Sequence, residues 1–96
     1  MLAMAIPGFR HEGLERFFLR GSIAGIQARH ADRLRLILGR LGVSEAPADM
    51  ALPGLDLHPL KGPRRGTWAV KVSGNWRITF RFTGSNIEDV DYEDYP

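Results

Sequence analysis

Cysteine is absent from the chain, which removes disulfides, thiolate metal sites and thiol nucleophiles from the chemistry available to it. Long apolar runs are missing as well. The opening stretch Met1–Pro7 is mildly apolar, but it has no basic flank and is cut short by Pro7, Gly8 and Arg10. Neither a signal peptide nor a membrane span is expected there, and the cytoplasm is the default compartment. No G-x-S-x-G turn and no G-x-x-x-x-G-K-[ST] loop occurs, which excludes a serine-hydrolase elbow and a nucleotide-binding P-loop. The three histidines, His11, His30 and His58, are scattered, and no carboxylate pair has the spacing of a metal-binding motif. No metal or other cofactor is expected, and His11 and His30 read as surface or helix-end residues.

Positive charge is missing from one end. No Lys or Arg lies beyond residue 81, whereas five of the eleven acids (Glu88, Asp89, Asp91, Glu93 and Asp94) follow residue 87. Residues 1–87 carry a net +7 and residues 88–96 a net −5, beneath an overall charge of only +2. A basic body of this kind attracts polyanions, of which nucleic acid is the commonest in a cytoplasm; a generic solubility charge is the plainer alternative.

What is present suits one folded domain. The 96 residues are 44% hydrophobic and 25% charged, close to the soluble globular average and too few for two separate cores. Leu14, Phe17 and Phe18 recur at helical spacing between Glu12 and Arg20, and Gly21 stops the run. Leu34, Ile37, Leu38 and Leu41 predict a second helix over about 27–41, with Gly42 as its stop. Residues 3–10 suit an edge strand weakened by Pro7 and Gly8, and residues 42–56, broken by Pro47 and Pro53, read as a connecting loop.

The texture then changes to strict alternation. Trp68, Val70 and Val72, then Trp76, Ile78, Phe80 and Phe82, predict two half-buried strands around a three-residue loop, Ser73-Gly74-Asn75. That register sets Val72 opposite Trp76, Val70 opposite Ile78 and Trp68 opposite Phe80. It also sets Lys71 across from Arg77 on the other face, with Arg81 further along, where an anion is needed. Ile87 and Val90 are out of phase by one in a third strand, about 87–92, which predicts a bulge. A brief strand at Leu55–Leu57 completes an α+β architecture: two N-terminal helices on the apolar face of a twisted antiparallel sheet whose other face is partly open.

The loop Leu57-His58-Pro59-Leu60-Lys61-Gly62-Pro63-Arg64-Arg65-Gly66 concentrates one imidazole and three cations between prolines and glycines. His exchanges protons near neutral pH, and Lys and Arg hold phosphate. On these ten residues alone, a reaction site and a basic surface loop remain equally open.

Several blocks carry a family resemblance: Phe9-Arg10-His11-Glu12-Gly13-Leu14, Leu57 to Gly62, Gly66-Thr67-Trp68, Gly74-Asn75-Trp76-Arg77-Ile78-Thr79-Phe80, and Asp91-Tyr92-Glu93-Asp94-Tyr95. In this order and at these spacings they resemble the HigB branch of the RelE superfamily over nearly the whole chain. The resemblance implies a microbial-RNase-type fold and the toxin of a type II toxin–antitoxin pair. It also implies a ribosome-dependent, metal-independent endoribonuclease that cuts messenger RNA by 2′-OH attack on the adjacent phosphate. Its implied partners are a helix-turn-helix, HigA-like antitoxin, the ribosome with its mRNA, and operator DNA only through the antitoxin complex. Carried over by position, His58, Lys61, Arg77 and Tyr95 are the expected catalytic residues: His58 moves protons, and Lys61 and Arg77 bind phosphate. Arg64, Arg65, Lys71 and Arg81 are expected to bind RNA.

One departure stands out. Relatives in that branch often end Tyr-His, whereas this chain ends Tyr95-Pro96 and has no imidazole there. A catalytically weak or inactive RNA-binding module, acting mainly with its antitoxin as a repressor complex, is therefore the competing expectation. The acids beside Tyr95 suit either a solvated strand edge or partners that orient Arg64, Arg65 or Arg77.

Overall fold

The computed structural model describes Ile6 and residues 8–94. Helix α1 (Glu12–Arg20) begins where His11 Nδ1 accepts the Leu14 N–H at 2.9 Å, and it ends at Gly21, whose left-handed conformation (φ 73°) lets its N–H reach the Phe17 carbonyl. These are ordinary N- and C-caps, and Glu12, Glu15 and Arg20 complement the helix dipole. Helix α2 (Ala31–Leu41) is preceded by a 3₁₀ turn over Ala28–His30, so the predicted second helix is an α-helix with a tightened first turn. Leu14, Leu34, Ile37 and Leu41 are wholly buried, and Phe17 nearly so.

Four strands follow: β1 (His58–Pro59), β2 (Trp68–Ser73), β3 (Trp76–Thr83) and β4 (Asn86–Asp94). They form an antiparallel meander in the order β1-β2-β3-β4. The even positions of β3 and their partners, with Val70, Ile78, Phe80, Val90 and Tyr92 buried, make one face of the sheet, and the leucine stripe of α2 joins them in a single core. Trp68 and Trp76 are half-buried and pack against that core.

Particular expectations fare differently. Trp68 pairs with Phe80 and Val70 with Ile78 as predicted, but the register shifts after Lys71, so that Ser73 rather than Val72 faces Trp76 and the loop is only Gly74-Asn75. A two-residue turn suits Gly-Asn here, with Gly74 at φ 58°, and the bulge absorbs the extra residue. The third strand is longer than expected and carries the predicted bulge. Thr79 pairs with Asp91 but Arg81 with Glu88, and Asp89 sits at φ 55° in between. The short strand lies at His58–Pro59, not at Leu55–Leu57, although the Leu55 carbonyl still accepts the Lys71 N–H at 2.7 Å.

The expected N-terminal edge strand falls partly outside the described residues. What is described is one parallel bridge, Phe9 to Val90, flanked by Val90 N–H to the Gly8 carbonyl and Arg10 N–H to the Val90 carbonyl. Residues 42–56 are more than a connector. A 3₁₀ turn at Pro47–Met50 is held by Asp49, whose carboxylate accepts the Glu45 and Ala46 N–H groups, and Met50 and Leu55 are fully buried. Aperiodic spacing concealed these two core residues because neither helix nor strand presents them.

Candidate active site

The face of the sheet turned away from the helices holds most of the polar residues singled out in the sequence. Its positions follow from the pairing: His58, Ala69, Thr79 and Asp91 lie in one row across all four strands, and Lys71, Arg77 and Glu93 form the next row. With neighbouring strands about 4.8 Å apart, His58 stands roughly 10 Å from Thr79, with only the methyl of Ala69 between them in the row.

His58 is set by its local backbone. Asp56 occupies the left-handed region (φ 52°), and its carbonyl lies 2.9 Å from His58 Nδ1. A carbonyl only accepts, so Nδ1 carries the hydrogen and Nε2 is left with the lone pair in the neutral ring. That is the tautomer of a side chain able to take up a proton at Nε2.

Between β1 and β2 the cation-rich segment closes into a compact hairpin loop. Leu60 N–H reaches the Thr67 carbonyl at 2.8 Å, and a 3₁₀ turn over Gly62–Arg64 carries the tip. Lys61 is exposed at the start of this turn, Arg64 is exposed within it and Arg65 just beyond it. Gly66, at φ 97°, ends the loop with the Arg81 guanidinium lying against it, so that a Cβ there would come within 3.0 Å of Arg81. Arg81 in turn donates to Thr67 Oγ1 at 3.2 Å and to the Arg65 carbonyl at 3.4 Å. Loop and sheet are thereby tied together.

Beside the loop lies a polar hollow of about 200 Å³. Arg10, Arg64 and Arg81 face Asp89, Asp91 and Glu93 across it. Thr67 and Thr79 form part of its lining, although both are buried. Its best-formed contact is a bidentate pair: Arg64 NH1 to Glu93 Oε1 at 2.8 Å and NH2 to Oε2 at 2.6 Å. Thr79 Oγ1 donates to the same Glu93 oxygen. The hydrogen bonds from Arg64 hold the Glu93 carboxyl below the usual carboxylate range; partial burial pushes the other way and Thr79 adds to the lowering. Arg81 and Asp89 are more loosely paired, at 4.0 Å.

Of the residues singled out in the sequence, Arg64 and Arg81 line the hollow, whereas His58, Lys61 and Arg77 are not among its lining residues. His58, Lys71 and Arg77 share the open face by register, and Lys61 and Arg65 belong to the loop at its edge. Arg77 donates to the Gly74 carbonyl at 2.7 Å and to the Trp76 carbonyl at 3.2 Å, which turns it toward the β2–β3 hairpin. Glu93 is opposite Arg77 in the register, and its carboxylate is hydrogen-bonded to Arg64 and Thr79. Tyr95 lies outside the described residues. Arg10, Thr67 and Thr79 lie within the blocks that resemble the family but were not expected at the site; the parallel bridge at Phe9 brings Arg10 in, and the folded pairing brings both threonines to the hollow. Among the described residues, no group of three His, Asp or Glu side chains could hold a metal ion, and no helix is long and apolar enough to cross a membrane.

Comparison with known proteins agrees with this architecture. Residues 7–95 match the family of RelE-like toxins of the type II toxin–antitoxin system HigB. Endoribonuclease HigB of Proteus vulgaris is 37% identical over 90 residues, covering 94% of this chain and 98% of that protein. With a family match over almost its whole length and a relative aligned end to end, the chain belongs to the HigB-like toxins of type II toxin–antitoxin systems.

Proposed function

We propose that this protein is an endoribonuclease that cuts messenger RNA on the ribosome in the cytoplasm and is silenced by a helix-turn-helix antitoxin encoded with it. The observation that carries the reading is the open sheet face, where an imidazole in a base-competent tautomer, Lys71 and Arg77 share adjacent rows beside the Lys61 loop. The relative named as an endoribonuclease supports the same activity.

In this mechanism His58 Nε2 takes the proton from a ribose 2′-OH as its oxygen attacks the neighbouring phosphorus. Lys61 and Arg77 stabilise the charge on the pentavalent phosphorane, and the P–O5′ bond breaks. The products are a 2′,3′-cyclic phosphate and a 5′-hydroxyl, the latter completed by a proton from Tyr95, the terminal aromatic that the family resemblance assigns to the site. Arg64, Arg65, Lys71 and Arg81 hold the RNA backbone on either side. Electrostatic stabilisation by preplaced cations is the largest contribution such a site makes, and it needs no cofactor. Operator DNA is engaged only through the antitoxin.

Pro96, where relatives often have His, favours a second reading: an RNA-binding module of low turnover that works chiefly in a repressor complex. Induced expression separates the two. The nuclease reading expects growth arrest that Lys61→Ala or Arg77→Ala relieves; the second expects arrest that survives Lys61→Ala, with salt-sensitive RNA binding and no new transcript ends.

A further inference from the structure

The Arg64–Glu93 pair is built differently from an ordinary surface ion pair. Its two parallel N–H···O bonds, at 2.8 and 2.6 Å, use the planar fork with which a guanidinium grips carboxylate and phosphate alike. The Arg64 side chain is 42% exposed at the tip of the loop, and that of Glu93 is 20% exposed on the sheet. One partner is thus placed to swing outward while the other stays. Glu93 has a second anchor, the Thr79 hydroxyl, and Thr79 is almost completely buried, so the carboxylate keeps a donor when Arg64 leaves it. Both partners border the hollow, and Glu93 lies opposite Arg77 on the face where RNA is proposed to lie.

We infer that the Glu93 carboxylate stands in for an RNA phosphate in the fork of Arg64, and that RNA entering the open face displaces it. The inference rests on the RNA-cleaving reading above and adds to it a subsite that is closed until substrate arrives. The exchange conserves hydrogen bonds: Arg64 trades one bidentate anion for another, and Glu93 retains Thr79. It also accounts for a dense acidic stretch on the RNA-binding face, since an internal anion keeps Arg64 aligned and lowers the pull of that face on stray polyanions.

The test is the affinity of the full-length protein for a single-stranded RNA of about ten nucleotides, 2′-O-methylated throughout so that it cannot be cut. Fluorescence anisotropy is followed across a salt series. Glu93→Asp keeps the charge but withdraws the carboxylate by one methylene. It is expected to tighten binding about fivefold at 0.1 M salt and to leave the log–log salt slope nearly unchanged, because the bound wild-type complex already makes the same Arg64–phosphate contact. Glu93→Gln, which keeps the side-chain length, is expected to tighten binding as well. Both gains should vanish in an Arg64→Ala background. Unchanged or weaker binding by the Asp and Gln variants, or a gain that persists without Arg64, overturns the inference and leaves the pair as a structural tie between loop and sheet. Wild-type protein that shows no salt-dependent RNA binding would instead overturn the RNA reading itself.

Discussion

The Tyr92 hydroxyl lies 2.6 Å from Nδ1 of His30, in a buried junction between the start of α2 and the last strand. The Gln27 N–H donates to the same oxygen at 3.4 Å. Nε2 of His30 has no hydrogen-bond partner among the described residues, and the His30 and Trp76 ring centroids are 5.8 Å apart in an edge arrangement. His30 is 2% exposed. Burial pushes its pKa below 6.5, with the neighbouring Arg29 acting in the same direction, and burial pushes that of Tyr92 up.

A pH dependence follows from that junction. The unfolded chain binds a proton at His30 near pH 6.5 while the folded chain still resists it, so stability conferred by the neutral ring is complete above that pH. It declines as pH falls from about 6.5 toward the lower folded value and then levels off. Thermal melts of wild type and His30→Gln from pH 8 to pH 5 should converge on acidification.

Tyr92→Phe removes the hydroxyl that both His30 and the Gln27 amide use. A loss of about 1–3 kcal/mol is expected, the cost of leaving buried polar groups unpaired. Urea denaturation measures it, and the midpoint should fall with little change in slope.

Two glycines predict opposite outcomes for the same substitution. A Cβ on Gly13 would lie 2.6 Å from the Gly25 carbonyl oxygen, where α1 meets its connector backbone to backbone. Gly13→Ala should therefore cost about 1–3 kcal/mol. Gly39, exposed in α2 with nothing within 4 Å of a Cβ, should gain about 0.5–1 kcal/mol on replacement by Ala. Paired melts of the two variants check both signs.

His58→Ala should lower RNA cleavage by about 10²–10⁴-fold, the usual contribution of a positioned proton-transfer group. Binding of uncleavable RNA should be nearly unchanged, because in this reading the RNA backbone is held by the Lys and Arg side chains and not by the imidazole. Single-turnover cleavage and anisotropy on the same preparation separate the two effects.

The fold was legible where the hydrophobic period was regular. Leu34, Ile37, Leu38 and Leu41 announce α2, the alternation from Trp68 to Phe82 announces the central hairpin, and the phase slip between Ile87 and Val90 locates the bulge at Asp89. Met50 and Leu55 were not legible, since residues outside regular elements enter the core without a period to mark them. The Val72 pairing was missed because a bulge shifts a register without altering the pattern on either side of it. At the site, composition exposed the cations of the 57–66 loop. The carboxylates and threonines that organise Arg64 and Arg81 come from β2, β3 and β4, and only pairing across strands brings them together. The acidic end left two readings open, a solvated strand edge or carboxylates that orient arginines; that Glu93 holds Arg64 is a matter of where the loop tip lies over the sheet.

The central claim, that the open sheet face cuts RNA by internal attack of a 2′-OH, is tested most directly by mapping transcript ends after brief induction with a ligation specific for 5′-hydroxyl RNA. New 5′-hydroxyl ends within messages are predicted for the wild-type protein, reduced at least a hundredfold in His58→Ala and in Arg77→Ala. Ends that bear 5′-phosphate, or 5′-hydroxyl ends that persist undiminished in both variants, would contradict it.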